Sequence, residues 1–468
     1  MQGEKVLELS EWDKLHEECG VFGIYAPEGC KVAKDIYYGL TALQHRGQEA
    51  AGISVTDTSG PMGNISTKKG MGLVSEVFSK NDIEKLSGNI GVGHVRYSTT
   101  GGSTIENAQP IAMNYVKGSL ALVHNGNLIN SKEIKEEQMY RGQAHYTSSD
   151  SEVLAYEIIS ERVRTSSVEE AVFNAAKKIK GGYAVIIMSP RKLVGIRDPK
   201  GLKPLCLGKK GESYVLASES AALTSINAEF LRDIEPGEII SITKNGVYSK
   251  HIEDDGKRAH CIFEYIYFAR TDSHIDGISV YEARFNAGRA LAKSGFVPTD
   301  IVAGVPDSGL IAAQGYAFES GIPFALAFHK NGYIGRSFIK PTDEERNAAV
   351  HMKLSVLKDV VRGKSITLID DSIVRGNTMR QIIELLKAAG AGKVHVRISS
   401  PPFLYPCYYG TDVPSAGELI ASRHSREDIK ERINADSLEY LRIEDFKEMV
   451  GDLPLCKACF DNDYPIRR

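Results

Sequence analysis

Ser365-Ile-Thr-Leu-Ile369 has the apolar, β-branched character of a buried parallel strand, and Met379, Ile382, Ile383 and Leu386 recur at helical spacing just after it. A strand feeding a helix across so short a turn confines this part of the chain to a layered α/β arrangement, with the turn at the strand's carboxyl end. The turn, Asp370-Asp-Ser-Ile-Val-Arg-Gly-Asn-Thr378, has the chemistry of a sugar-phosphate site. Asp370 and Asp371 can accept hydrogen bonds from ribose hydroxyls or help hold Mg2+. Arg375 to Thr378 add backbone amides, a hydroxyl and a helix amino terminus, which together make an anion cradle. A Walker loop is a poorer reading, because no G-x-x-x-x-G-K-[ST] occurs.

The chain changes rhythm around this feature. Up to about residue 250, short strand-like runs such as Val21 to Tyr25, Leu120 to His124, Tyr183 to Met188 and Glu238 to Ile242 alternate with a few helices, an α+β pattern. From the helix expected over Tyr281 to Lys293, helices alternate with strands expected at Asp300 to Val305, Pro323 to Phe328, Ser365 to Ile369 and Lys393 to Ile398, which predicts a doubly wound parallel sheet. The charged stretch Lys250 to Arg258 is the natural junction. Val305-Pro-Asp-Ser-Gly309 ends another strand of that sheet, so Ser308 is a candidate for pyrophosphate or its Mg2+. His329 to Pro341, with Lys330 and Tyr333, has the glycines, basic groups and aromatics of a loop that closes over a polyanion and excludes water.

At 468 residues with 42% hydrophobic composition, the chain is long enough for two cores. A formal net charge of −3 gives no electrostatic case for nucleic acid or anionic membrane. No apolar run approaches the roughly 20 residues needed to span a bilayer. Met1 to Glu18 lacks a signal-peptide core, so the expected location is cytoplasmic. The cysteines do not suggest a disulfide scaffold: Cys456-Lys-Ala-Cys459 is a close ligand pair, Cys261 and Cys407 would have to be brought in by folding, and Cys30 and Cys206 are expected to be buried thiols.

Glu17-Glu-Cys-Gly-Val-Phe-Gly-Ile24, Gln44-His-Arg-Gly-Gln-Glu-Ala-Ala-Gly52, His94-Val-Arg-Tyr-Ser-Thr-Thr-Gly101, His124-Asn-Gly126 and Ser148-Ser-Asp-Ser-Glu152, taken in this order, resemble a class II glutamine amidotransferase. That resemblance implies an amino-terminal-nucleophile hydrolase fold in which Cys19 becomes residue one after removal of a propeptide, residues 1–18. The requirement is chemical. A free α-amine with a pKa of about 7.7 to 8 can take the thiol proton, whereas an internal amide nitrogen cannot. The Asn125 amide and the Gly126 backbone N–H would then stabilise the oxyanion, Arg96 would hold the glutamine α-carboxylate, and Asp150 its α-ammonium. His45 and His94 are read as structural, since the amine already supplies the base.

The acidic pair with Gly-Asn-Thr resembles the ribose-5-phosphate signature of type I phosphoribosyltransferases, which bind phosphoribosyl pyrophosphate (PRPP). Glutaminase motifs followed by a PRPP motif are similar, over nearly the whole chain, to the glutamine PRPP amidotransferase family. The resemblance implies a glutaminase domain at 19–255 and an α/β phosphoribosyltransferase domain at 256–468 with a metal-binding tail. It implies conversion of glutamine, PRPP and water to 5-phosphoribosylamine, glutamate and pyrophosphate, the committed step of purine synthesis. PRPP contacts would come from Asp370, Asp371, Ser372, Arg375, Gly376, Asn377, Thr378, Lys330 and Tyr333, with Mg2+ at Ser308, Asp370 and Asp371. Cys261, Cys407, Cys456 and Cys459 look like the ligands of the [4Fe-4S] branch of the family, and a zinc site on the same thiolates is the chemical competitor. A homotetramer and feedback inhibition by purine nucleotides are further implications. A PRPP-sensing transcription regulator would keep the acidic pair but has no use for Cys19, Arg96, Asn125 and Asp150. Glucosamine-6-phosphate synthase would need a sugar-isomerase half in place of the PRPP motif.

Overall fold

The computed structural model describes residues 19–57, 63–97, 102–332, 354–411, 413 and 415–467. In the first half, two antiparallel sheets pack face to face. One has seven strands, in the order Glu229–Asp233, Cys206–Lys210, Ser213–Ala217, Gly20–Tyr25, Ile90–Arg96, Ala50–Asp57 and Asn64–Met71. The other has six, in the order Gly246–His251, Glu238–Thr243, Lys192–Arg197, Gly181–Ser189, Gly118–Leu128 and Ile111–Tyr115.

Side chains alternate across each strand, so the inner strands serve two cores. Val21, Val92 and Leu216 meet Val123, Ile186 and Ile240 between the sheets. Phe22, Ile24 and Ile53 point the other way, against Ile36 and Leu40 of the helix Ala33–Ala42. The second sheet's outer face, with Leu122, Val185 and Ile187, is covered by Val153, Leu154 and Ile158 of the helix Asp150–Arg164. The result is a four-layer helix-sheet-sheet-helix stack. Gly23 permits the close approach of the sheets: a Cβ there would stand 2.8 Å from Ile186 Cγ2.

The second half is built on a parallel sheet, Ile301–Gly304, Ile366–Asp370, Val394–Ile398 and Ser437–Tyr440. Its helices lie on both faces, as the alternation predicts. Val280–Ser294 and Leu310–Ser320 share one core with Val302 and Ile369, whereas Asn377–Ala388 packs Met379, Ile382, Ile383 and Leu386 into another with Leu368 and Val396. Between the halves, the chain leaves the six-stranded sheet at His251 and re-enters a strand at His260–Cys261.

Two expectations are corrected. Pro323 to Phe328 is not a continuous strand: Phe324 makes a single bridge to Val302, and the segment Phe328–Lys330 pairs instead with Leu354–Val356. Pro323 has no N–H to give a ladder and serves only through its carbonyl, which accepts from Val302 N, while Leu326 faces solvent. Cys30 is exposed rather than buried, because the turn through Gly29, at φ +87°, carries it out of the sheet; Cys206 is buried as expected. Among the described residues, no helix is long and apolar enough to cross a membrane.

Candidate functional site

Cys19 immediately precedes the strand Gly20–Tyr25, whose register sets Gly20 opposite Val95 and so brings Cys19 alongside Arg96 and Tyr97. Its thiol donates to the Tyr97 carbonyl at 3.4 Å. Its own carbonyl accepts from Arg46 Nε at 3.1 Å. Arg46 is fully buried and forks onto two carboxylates: Nη1 reaches Glu219 at 2.6 Å and Glu264 at 2.9 Å, and Nη2 reaches Glu264 at 2.7 Å. Glu219 also accepts from Arg270 N at 2.9 Å and Ser273 Oγ at 2.7 Å, and lies 2.8 Å from His45 Nε2. Burial would raise the pKa of Glu219, but His45 and Arg46 outweigh it and hold this carboxyl well below the usual carboxylate range.

A hydrogen bond links the site to the other sheet: His94 Nε2 lies 3.0 Å from the carbonyl of His124, the residue before Asn125. Burial pushes the His94 imidazole down to about 3, so it is neutral at physiological pH. His45 has its Nδ1 3.1 Å from the Ala42 carbonyl and its Nε2 on Glu219. Both histidines are thus committed within the fold. Gln109 locks His124 from the other side, accepting from its N–H at 2.7 Å and donating to its carbonyl at 3.2 Å.

The Asn125 side chain is buried, and its Nδ2 has no hydrogen-bond partner among the described residues. An orphaned amide donor at such a place is costly, roughly 1–3 kcal/mol, unless a ligand completes it. Gly126 follows at φ +136°, where a Cβ would stand 2.0 Å from the Gly182 carbonyl, so only glycine fits. Arg96 is buried, donates to the Gly102 carbonyl through both Nη atoms at 3.3 Å, and lies 3.7 Å from Glu49. Asp150 starts the helix Asp150–Arg164 and spends one oxygen on Leu128 N at 2.9 Å. Glu152 then ties back Tyr146 N and Thr147 N, which shapes the segment leading to Ser148 and Asp150.

In the second half the strand Ile366–Asp370 delivers two buried carboxylates to its carboxyl end. Ser308 bridges them, donating at 2.5 Å to Asp371 and at 3.4 Å to Asp370. The two phosphate-type turns are therefore adjacent. Ser372 Oγ donates to Asp371 at 2.6 Å. Gly376, at φ +93°, turns the chain into the helix Asn377–Ala388, and Arg375 pairs with Glu418 at 3.2 Å. Lys330 pairs with Asp307 beside Ser308. Tyr333 and the remainder of the proposed closing loop lie outside the described residues. Two carboxylates and a hydroxyl suit Mg2+, which is typically held by one or two carboxylates together with substrate phosphates.

The four cysteines come from separated segments to one enclosed cavity, lined by Cys261, Cys407, Cys456 and Cys459 together with Lys203 and Tyr464. His260–Cys261 pairs in parallel with Leu455–Cys456, setting Cys261 beside Cys456, and the Cys459 carbonyl accepts from Leu404 N and Tyr405 N. Burial, followed by the neighbouring thiols, raises the Cys459 pKa, and burial pushes Cys456 up to about 12. Among the described residues, no three His, Cys, Asp or Glu side chains converge in the way that holds a single metal ion.

Arg46, Glu219, Glu264, Gln109 and Glu152 were not singled out from the sequence. Arg46 sits inside the quoted Gln44 to Gly52 motif, and an acidic residue in the otherwise small and apolar run Val215 to Leu223 is a signal that could have found Glu219.

Residues 94–225 match the glutamine amidotransferase domain family. That match places a glutamine amidotransferase domain in the first half of the chain. The chain is 46% identical over 463 residues to an amidophosphoribosyltransferase of Methanocaldococcus jannaschii, covering 96% of this chain and 97% of that one. It is 45% identical over 464 residues to the Bacillus subtilis amidophosphoribosyltransferase, covering 98% and 96%. The solved structure of glutamine PRPP amidotransferase from B. subtilis, complexed with ADP and GMP, superposes with a TM-score of 0.89 at 44% identity, covering 96% of this chain and 98% of that one. The chain belongs to the amidophosphoribosyltransferase family, with a glutaminase domain of the amino-terminal-nucleophile type followed by a phosphoribosyltransferase domain.

Proposed function

We propose that this chain carries the family's two half-reactions at the two sites described above, with Cys19 releasing ammonia from glutamine and the Asp370 to Thr378 turn holding the PRPP that ammonia attacks. The observation that carries the first assignment is the orphaned Asn125 amide beside a glycine that nothing else can replace. Removal of residues 1–18 frees the Cys19 α-amine, which takes the thiol proton; the thiolate attacks the glutamine carboxamide, and Asn125 Nδ2 with Gly126 N–H receives the oxyanion. Arg96 and Asp150 gauge the amino-acid end of glutamine through its two opposite charges. Collapse of the intermediate expels ammonia and leaves a thioester, which water hydrolyses to glutamate.

At the second site, Asp370 and Asp371 accept from the ribose hydroxyls. Ser372 and Arg375 to Thr378 wrap the 5-phosphate, and Lys330 neutralises pyrophosphate as the C–O bond to it breaks. Ammonia arrives already neutral and nucleophilic, so the turn needs no base. Internal delivery of ammonia avoids its protonation in bulk water. Asp370, Asp371 and Ser308 would hold Mg2+ together with the substrate's own phosphates, and the ion would supply charge neutralisation for the leaving pyrophosphate.

The proposal extends to a structural [4Fe-4S] cluster on Cys261, Cys407, Cys456 and Cys459. It is supported by the four thiols lining one cavity, with Cys261 set beside Cys456 by the short parallel ladder, a donor set that suits an iron-sulfur cluster. Such a group fastens the carboxyl-terminal tail to the junction segment. A cytoplasmic location, a homotetramer and inhibition by purine nucleotides complete the reading; the last is suggested by the relative described with ADP and GMP.

An assay containing glutamine and PRPP, with glutamate and pyrophosphate followed together, tests the function: equimolar release of both is expected, and glutamate release with no pyrophosphate would overturn it. Iron, sulfide and zinc analysis of the anaerobically purified chain tests the cluster. Iron and sulfide at about four each per chain are expected, and stoichiometric zinc without iron would reverse that assignment.

A further inference from the structure

The strand that ends in the oxyanion donors does not finish in its own half of the molecule. Two rungs near its end, Gly126 opposite Tyr183 and Asn127 opposite Gly182, are covered by the loop Tyr408 to Gly410 of the phosphoribosyl half. Asn127 Nδ2 donates to the Tyr408 carbonyl at 2.9 Å. A Cβ on Gly410, which sits at φ +110°, would stand 3.0 Å from Gly126 C, and one on Gly182 would stand 3.2 Å from Tyr409 Cβ. Gly126 is therefore pressed between Gly182 of its own sheet and Gly410 of the other half.

The covering loop is firmly anchored. Tyr409 N donates to Cys407 Sγ at 3.4 Å, and Tyr409 Oη exchanges hydrogen bonds with the backbone of Ile466 at 2.7 and 3.1 Å. Tyr464 Oη donates to the Pro406 carbonyl at 2.6 Å. The ladder to Gly181, Gly182 and Tyr183 ties the strand end to its own sheet, and the Asn127 amide adds a directional tie to the other half. That second tie restrains the strand end along its own axis, and that axis carries the Asn125 amide and the Gly126 N–H.

We infer that Asn127 is a positioning residue for the oxyanion donors, holding Asn125 and Gly126 in register through the Tyr408 carbonyl, so that the loop following Cys407 sets the geometry of the glutaminase site. The inference rests on the assignment of Asn125 and Gly126 as oxyanion donors. Donors displaced by a fraction of an ångström lose transition-state stabilisation while the glutamine recognition groups, Arg96 and Asp150, stay in place. The expected signature is a loss in kcat with little change in KM.

The test uses the full-length processed enzyme. Asn127→Asp replaces the donor with an acceptor that repels the Tyr408 carbonyl. It should lower glutamine-dependent kcat about 10- to 100-fold, leave the glutamine KM within about twofold, and leave synthesis from added ammonium unchanged. Asn127→Gln, which retains the donor, should restore most of the loss. Gly410→Ala, made in the other half and pressing on Gly126, should show the same split, and it serves as the test should Asn127→Asp fail to fold. Equal loss of glutamine- and ammonium-dependent activity in Gly410→Ala, or an unchanged kcat in both variants, overturns the inference. Asn125→Ala separates the two levels: a kcat unaffected by that change would remove the oxyanion assignment itself. A large fall in Asn125→Ala beside wild-type turnover in Asn127→Asp would remove only the role of Asn127.

Discussion

The two sites are assembled in opposite ways. The phosphoribosyl turn is one continuous strand-turn-helix, with its carboxylates, glycine and helix start all between Asp370 and Thr378 and one outside group, Ser308, bridging in. The proposed glutaminase site draws Cys19, Arg96, Asn125 and Asp150 from four separate segments, and their mutual placement depends on buried groups to which no substrate contact is assigned: Arg46, Glu219, Glu264, Gln109 and His94. A continuous site inherits its geometry from local backbone conformation. A dispersed one must be held by side-chain networks, and its failures should be distributed through the surrounding fold.

The sharpest way to break this comparison is Cys19→Ala. Glutamine-dependent formation of phosphoribosylamine should be abolished, while synthesis from added ammonium continues at the wild-type rate, because only the first half-reaction uses the thiol. Product formation is read with each nitrogen source in turn. Equal loss from both, in a folded protein, would mean that the two sites do not divide the chemistry.

The same contrast explains what could be read without coordinates. The helix face of Met379, Ile382, Ile383 and Leu386 and the acidic turn follow from local sequence and were legible, as were three strands of the parallel sheet, whereas its fourth strand, Ser437–Tyr440, was not anticipated. Periodicity gives the first half only as α+β, since nothing local says which antiparallel strands share a sheet; the amino-terminal-nucleophile hydrolase fold was legible through the resemblance carried by its motifs. Arg46 lay in a quoted motif, yet its partner Glu264 is 218 positions away, and no spacing rule connects them. Pro323 to Phe328 was misread because an apolar run beside a proline has the composition of a strand without the donors of one. Cys30 was misplaced because the left-handed turn at Gly29 outweighs the apolar neighbours that suggested burial.

A second prediction compares the charges of the two sites. Glu219 is completely buried and serves Arg46, His45, Arg270 and Ser273, so Glu219→Ala strands Arg46 with half its fork and should cost about 3–5 kcal/mol. Glu418 pairs with Arg375 at the rim of the phosphoribosyl turn with half of its side chain exposed, and Glu418→Ala should cost under about 1 kcal/mol. Urea unfolding of both variants measures the difference. If the two costs are alike, the glutaminase site is not held by its buried network in the way proposed.

The smallest effect concerns protons. His94 is buried, and burial moves its pKa down to about 3, whereas an unfolded chain protonates histidine near pH 6.5. Between those limits the unfolded state binds a proton that the folded state refuses. Stability from this group is therefore fully present above about pH 6.5 and declines as the pH falls toward 3. The decline amounts to about 2 kcal/mol between pH 7.5 and pH 5. His124 is shifted in the same direction by burial and adds to the slope. His94→Gln retains a donor for the His124 carbonyl but cannot titrate, so its unfolding free energy should fall less steeply than that of the wild type over that interval. His395, in the phosphoribosyl sheet, is also lowered by burial but is only half-buried, and His395→Gln should flatten the profile less. Identical slopes for wild type and His94→Gln would mean that the His94–His124 bond between the sheets tolerates a charged imidazole. The rigidity of the dispersed site would then have to come from the Arg46 network alone.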